Sequence, residues 1–214
     1  MTFGAGIRAI PFLIFFGLTL LQGRLGPGSI FWIYAFKTLA GVAMIWVMRK
    51  SVVEMRWSWS WPAVLVGILI FVVWVGLDPF YPKLGAAGPV WNPNVRYGEG
   101  SGLAWFFIGA RILGSSLIVP PLEEVFYRSL VYRYAVDPDF ERVPLGIFRW
   151  GPFLITAVIF GFSHSQWLAG ILCGAAFQGL VCWKKRLGDA MLAHAITNLL
   201  LGCWVVWKGA WNFW

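Results

Sequence analysis

Charge is what this sequence has least of. Of its 214 residues only 12% are charged, nine are acidic and two are histidine, whereas a soluble domain averages about 25% charged residues. No water-soluble core of this length buries a chain that is 59% hydrophobic, so lipid must solvate most of it. Cysteine is scarce as well. Cys173, Cys182 and Cys203 all fall in apolar runs; the odd count and the lipid setting argue against a disulfide framework and for a packing role. The sequence has no internal repeat, no separate soluble domain and no HExxH zinc motif. The apolar run after Arg8 ends in Gln22-Gly23-Arg24 with no small-x-small cleavage site, so it reads as a retained first span rather than a signal peptide. The net charge of +8 comes from basic residues in short gaps between apolar runs. That pattern is a topology signal and not a nucleic-acid footprint, so no nucleic-acid partner is expected.

What the chain does have is apolar runs of membrane-spanning length. They cover Ala9–Leu21, Ile30–Met48, Trp61–Leu77, Gly102–Ala135 (broken by Pro120-Pro121), Pro152–Gln166, Trp167–Trp183 and Leu187–Trp207. Runs this long are helices, because lipid-exposed backbone must satisfy its own hydrogen bonds and barrel strands are shorter. The expected fold is therefore an all-α, polytopic transmembrane helical bundle of about seven spans. Residues 1–101 carry three spans and an extracytoplasmic Pro/Gly/Asn-rich loop, and 102–214 carry the helical core of the same folding unit. With the N-terminus inside, ten basic residues lie on the cytoplasmic side (Arg8, Arg49, Lys50, Arg56, Arg133, Arg142, Arg149, Lys184, Lys185, Arg186) and four outside (Arg24, Lys83, Arg96, Lys208). The asymmetry predicts N-in and C-out in the cytoplasmic (inner) membrane. Lys37, Arg111 and Arg128 fall within spans.

Ionisable groups inside a span cost on the order of 3 kcal/mol or more, so each needs a reason. Three clusters stand out. In Pro120-Pro121-Leu122-Glu123-Glu124-Val125-Phe126-Tyr127-Arg128, Glu124 and Arg128 are i,i+4 and can neutralise each other. Glu123 is rotated by roughly 100° from that pair and lacks the partner. An unpaired carboxylate in low dielectric is suited to general acid–base work near neutral pH; a purely structural Glu–Arg bridge explains Glu124 and Arg128 but leaves Glu123 unexplained. In the second cluster Phe160 and His164 are i,i+4, so the ring can pack on the imidazole. In the third, His194 and Asn198 share a helix face. Taken singly, each histidine reads equally as a packed or interhelical residue. Together, a Glu, two His and an Asn on three helices can converge in a bundle. Measured from the cytoplasmic helix starts, His164 and His194 differ in depth by ~10 Å, which tilt or a deeper start must absorb.

Glu-Glu-x-x-x-Arg, then Phe-x-x-x-His, then His-x-x-x-Asn, in that order, resembles the CPBP family of type II CAAX endopeptidases and bacteriocin-processing or self-immunity proteins. Val75-Gly76-Leu77-Asp78-Pro79-Phe80-Tyr81-Pro82 is similar to its exosortase-associated bacterial branch. The resemblance implies an intramembrane endopeptidase acting on a protein or peptide substrate at the lipid bilayer. It implies Glu123 as the base that activates water and later protonates the leaving amine, His164 as the group that holds that water, and His194 and Asn198 as the oxyanion donors. Glu124, Arg128 and Phe160 support the site. The same residues also admit a divalent metal such as zinc on His164 and His194 with a carboxylate; the lack of a third clear ligand favours the metal-free form. A different class of function, a transporter or an immunity-type binding partner, uses the same kind of buried polar cluster. Prenylation of the substrate does not follow from the residues.

Overall fold

The computed structural model describes residues 2–85 and 90–214. Seven helices carry it: α1 (Phe3–Leu21), α2 (Ser29–Met48), α3 (Trp61–Leu77), α4 (Gly102–Val136), α5 (Trp150–Phe162), α6 (Trp167–Lys184) and α7 (Gly188–Lys208), with no strand among the described residues. All but α5 are long and apolar enough to cross a membrane, and α5 is a shorter apolar helix of 13 residues. The protein is thus a multi-pass membrane protein. Its outer surface is unpartnered Leu, Ile, Val and Trp, as on Leu39, Leu65 and Leu69, which lipid covers at no cost.

Side-chain caps set several helix starts. Thr2, Ser60 and Ser101 accept from the backbone amides of Ala5, Ala63 and Ala104, each satisfying one orphan donor. α1 begins six residues before the apolar run does. Arg8 sits inside it because Glu54 neutralises its guanidinium at 2.8 Å.

Small residues bring the helices that matter into contact. α5 and α6 cross at Gly161 and Gly170, where a Cβ on Gly170 would stand 2.9 Å from the Gly161 Cα. α3 meets α7 at Gly67, where a Cβ would lie 2.7 Å from the Ala193 carbonyl. The Thr197 hydroxyl donates to the Gly67 carbonyl at 2.9 Å. Such close approach, plus one interhelical hydrogen bond, fixes helix pairs in lipid where hydrophobicity does not distinguish partners.

α4 departs from its sequence reading. Instead of breaking at Pro120-Pro121 it runs on through them, with wide π-type turns at Gly114–Ile118 and Val125–Val131 on either side. Proline removes amide donors and clashes with the preceding turn. A π turn absorbs that misfit without ending the helix. The cost shows in the hydrogen-bond ladder. The Val119 amide reaches back five residues to the Gly114 carbonyl, so the Ser115 carbonyl is left over.

One end of the bundle gathers the basic loops 49–60, 137–149 and 184–187. There Glu54 is clasped by Arg8, by the Ser129 hydroxyl and, at 3.7 Å, by Arg133. Arg133 also donates to the Val143 and Glu141 carbonyls at 2.7 and 3.1 Å. Burial alone would raise the Glu54 pKa. The bonds from Ser129 and its own backbone, and the Arg8 charge, outweigh it and hold the carboxyl below its ordinary value. Exposed Trp57, Trp59 and Trp61 ring this end, as aromatic residues do at a headgroup boundary.

Candidate active site

A cavity of about 390 Å³ opens at the other end of the bundle, between α1, α2, α4 and α7 and the turn joining α5 to α6. That volume lies within the usual range for ligand pockets. Glu123, His164, His194 and Asn198 all line it, so the structure gathers the four sequence-predicted site residues around one space.

Glu124 is fully buried behind the cavity and is the hub. Its Oε2 lies 3.1 Å from the Arg128 Nε, as the i,i+4 spacing predicts. Its Oε1 lies 3.0 Å from the His194 Nδ1, a contact that links residues seventy positions apart. Arg128 is held in turn by the Gly174 carbonyl at 3.4 Å and by the Phe160 ring, 4.3 Å below its guanidinium. Gly174 is open to this because its helix lies tight against Ala157 and Phe160. The adjacent Glu123 has no such attachment. It makes no ion pair among the described residues, and its buried Oε2 has no protein hydrogen-bond partner. The two neighbouring carboxylates thus differ in their charged partners: Glu124 has Arg128 and His194, and Glu123 has no ion pair among the described residues.

The histidines are arranged alike. His164 lies beyond the end of α5, in the turn that follows Phe162, rather than within a span. Its Nδ1 turns back onto the Phe160 carbonyl at 2.8 Å, and the ring lies beside Phe160 with centroids 4.8 Å apart. His194 sits 6.1 Å from the same Phe160 ring and stacks on Phe177 at 5.2 Å. Both imidazoles thus lie beside the Phe160 ring, despite the ~10 Å depth difference that helix starts alone impose. A carbonyl and a carboxylate only accept hydrogen bonds, so Nδ1 carries the proton in both rings and each Nε2 is left uncommitted.

Asn198 is fixed by the irregularity of α4. Its Nδ2 donates at 2.8 Å to the Ser115 carbonyl, the one that the π turn releases from the helix ladder. The second amide hydrogen remains free to act in the cavity.

Several lining residues went unread in the sequence. Trp74 packs edge-on against His164 at 5.6 Å, and its buried indole nitrogen has no protein partner. Arg111, a cation within an apolar run, turns to the cavity among Tyr34, Trp91 and Trp214. Lys37 faces the same space. The signal available was their placement as cations within apolar runs; the linear spacing gave no partner that would have grouped them with the motif residues.

No three His, Cys, Asp or Glu side chains among the described residues converge closely enough to hold a metal ion. The two histidines and Glu123 border one cavity without forming a ligand set.

Residues 104–200 match the family described as type II CAAX prenyl endopeptidase Rce1-like, and that stretch contains all seven motif residues from Glu123 to Asn198. No curated protein and no solved structure matches the chain.

Proposed function

From the match of residues 104–200 to the Rce1-like type II CAAX prenyl endopeptidase family, we propose that the chain hydrolyses a peptide bond of a membrane-associated protein with a water activated by Glu123. The observation that carries this reading is the contrast between the two adjacent carboxylates. Glu124 is spent on Arg128 and His194, while Glu123 borders the cavity with no cation beside it.

Glu123 takes a proton from the water as its oxygen attacks the scissile carbonyl carbon. His164, whose Nδ1–H is tied to the Phe160 carbonyl, offers Nε2 as an acceptor that aligns the same water. The carbonyl oxygen becomes an oxyanion facing α7. There Asn198 donates its free amide hydrogen, and His194 donates from Nε2 whenever that nitrogen carries a proton. Glu124 holds the His194 Nδ1–H and fixes the orientation of the ring. Donors fixed in a water-poor cavity act on developing charge without reorganising, which is where most of the rate acceleration arises. The tetrahedral intermediate then collapses, the C–N bond breaks, and Glu123 passes its proton to the leaving amine.

Thr19, Tyr34, Arg111, Ser165 and Trp214 line the cavity, all remote from the basic loops. The positive-inside rule puts those loops in the cytoplasm, so the substrate enters from the extracytoplasmic side of the inner membrane.

The test is comparative proteomics of membranes that carry the wild-type chain or Glu123→Ala. A membrane protein that stays uncleaved only with the variant supports the reading. Identical cleavage patterns in both membranes would overturn it.

A further inference from the structure

The turn between α5 and α6 carries an amide side chain to which the hydrolytic steps give no part. Gln166 lines the cavity and is only 7% exposed. Its Oε1 accepts a hydrogen bond from the Ser165 hydroxyl at 2.9 Å, which orients the carboxamide. Its Nε2 donates to nothing among the described residues, so both amide hydrogens are unspent. Gln166 is also the N-cap of α6, and its side chain makes no capping bond there. Serine, threonine, aspartate and asparagine suit that position, because their short side chains reach the first-turn amides. The glutamine does no such local work.

Hydroxyls that line the same cavity are spent on nearby carbonyls. Thr19 donates to Phe15, Ser115 to Ile112, Ser163 to Phe160 and Thr197 to Gly67. Asn198 gives one hydrogen to the Ser115 carbonyl and keeps one for the oxyanion. A buried amide without acceptors is costly, and in a cavity a ligand can supply them. The backbone on both sides of Gln166 is tied down. The Leu84 amide donates to the Ser165 carbonyl at 2.9 Å, and the Trp167 indole donates to the Pro82 carbonyl at 3.0 Å. Those ties come from the segment after α3, outside residues 104–200. A side chain oriented by its own hydrogen bond, on a turn held at both flanks, is a preorganised contact.

We propose that Gln166 is a substrate-binding residue, whose Nε2–H donates to a main-chain carbonyl next to the scissile one and so fixes the register of the peptide in the cavity. This deepens the peptidase reading of the same cavity and rests on it. An extended peptide turns successive carbonyls to opposite sides of its backbone. With the scissile carbonyl facing α7, the carbonyls before and after it face away from α7 and need a donor from another element. Gln166, two residues beyond His164 on the α5–α6 turn, supplies that donor. A bond to a main-chain carbonyl is blind to side chains, so the contact sets position rather than sequence preference.

The probe is a library of N-capped apolar heptapeptides, with a matching set in which each peptide bond in turn is an (E)-alkene that keeps the shape and removes the carbonyl. Binding is read by tryptophan fluorescence on the full-length Glu123→Gln chain in nanodiscs, and cleavage by mass spectrometry on the chain with Glu123 intact. Gln166→Met should weaken binding of the all-amide peptide about tenfold, as for one hydrogen bond to a buried group, and should raise KM rather than lower kcat. Gln166→Glu, which keeps the oxygen that Ser165 holds and loses the amide hydrogens, should do the same. With the alkene next to the scissile bond, parent and variants should bind alike. Equal binding of the all-amide peptide by parent and both variants overturns the proposal. So does a loss that persists with every alkene peptide, because Gln166 then acts on the fold. A loss confined to kcat also overturns it, because the residue then belongs to the oxyanion site. Binding that depends on both Gln166 and one carbonyl, without cleavage, keeps the anchor and removes the hydrolytic reading. Peptides that neither bind nor are cleaved overturn both.

Discussion

The two ends of the bundle treat buried charge in opposite ways. At the basic end each carboxylate has its donors in place: Glu54 with Arg8, Arg133 and Ser129, and Asp189 with Arg186 and Ser60. At the cavity end both signs line one space without pairing: Glu123, Lys37 and Arg111 form no ion pair among the described residues. A matched cluster gains its energy in the resting fold and acts as a clasp. Separated charges leave interaction energy to be satisfied by a ligand or a transition state. Mutations at the two ends should therefore divide between stability and chemistry.

The largest effect should come from Glu123→Gln. Peptide cleavage by membranes bearing the variant should fall about 10²–10⁴-fold, the contribution of a positioned acid–base group, while the thermal midpoint in detergent stays where it was. A midpoint that drops along with activity would move Glu123 to the clasp class. Arg128→Ala should do both kinds of damage. Breaking one side of a buried pair costs about 3–5 kcal/mol, and it also frees the carboxylate that orients His194. Folded yield and cleavage per folded molecule should both decline, and full thermal stability in this variant would refute its structural role. Glu54→Gln should lower the midpoint yet leave cleavage per folded molecule within about twofold, as expected for a change far from the chemistry.

pH provides a gentler test of the same division. The Glu54 pKa is lowered on folding, so its contribution is fully present above the unfolded carboxyl value of about 4.3 and fades as pH falls through the lower folded value. Unfolding midpoints followed from neutral pH downward should drop below about pH 4 in the parent and drop less in Glu54→Gln. The smallest effect should come from phenanthroline. With water activated by Glu123, cleavage should continue in its presence; a loss restored by added zinc would replace the proposed mechanism with a metal-centred one.

The sequence carries some of this directly. Hydropathy marks the spans, because lipid rewards long apolar runs wherever they occur. Helical spacing pairs Glu124 with Arg128 and sets Glu123 aside, because side chains one turn apart share a face. Spacing within one helix does not tell which helix lies opposite, so the bond from His194 to Glu124 was hidden, as was the role of Gly67 in bringing α3 to α7. Arg111 misled for a related reason. A long cationic side chain near a helix end usually extends to the headgroups, but Tyr34, Trp91 and Trp214 arrive from three separate segments and give it a place inside. His164 lay outside its expected helix because α5 stops at Phe162, and apolar runs mark lipid contact better than they mark the last helical turn.

The wide turn at Gly114–Ile118 also makes the cavity depend on residue number. A regular helix advances about 100° per residue, so one surplus residue turns everything on its N-terminal side by that angle relative to everything after it. Arg111 lies before the turn and Glu123 after it. The bulge thus acts as an angular offset between the two chemistries of the cavity. Deleting Ser116 would let the ladder close as an ordinary helix, return the Ser115 carbonyl to the backbone and rotate Arg111 off the cavity face. The side chains of Glu123 and Asn198 would be unchanged, yet the cavity would lose one of its two cations and Asn198 its anchor.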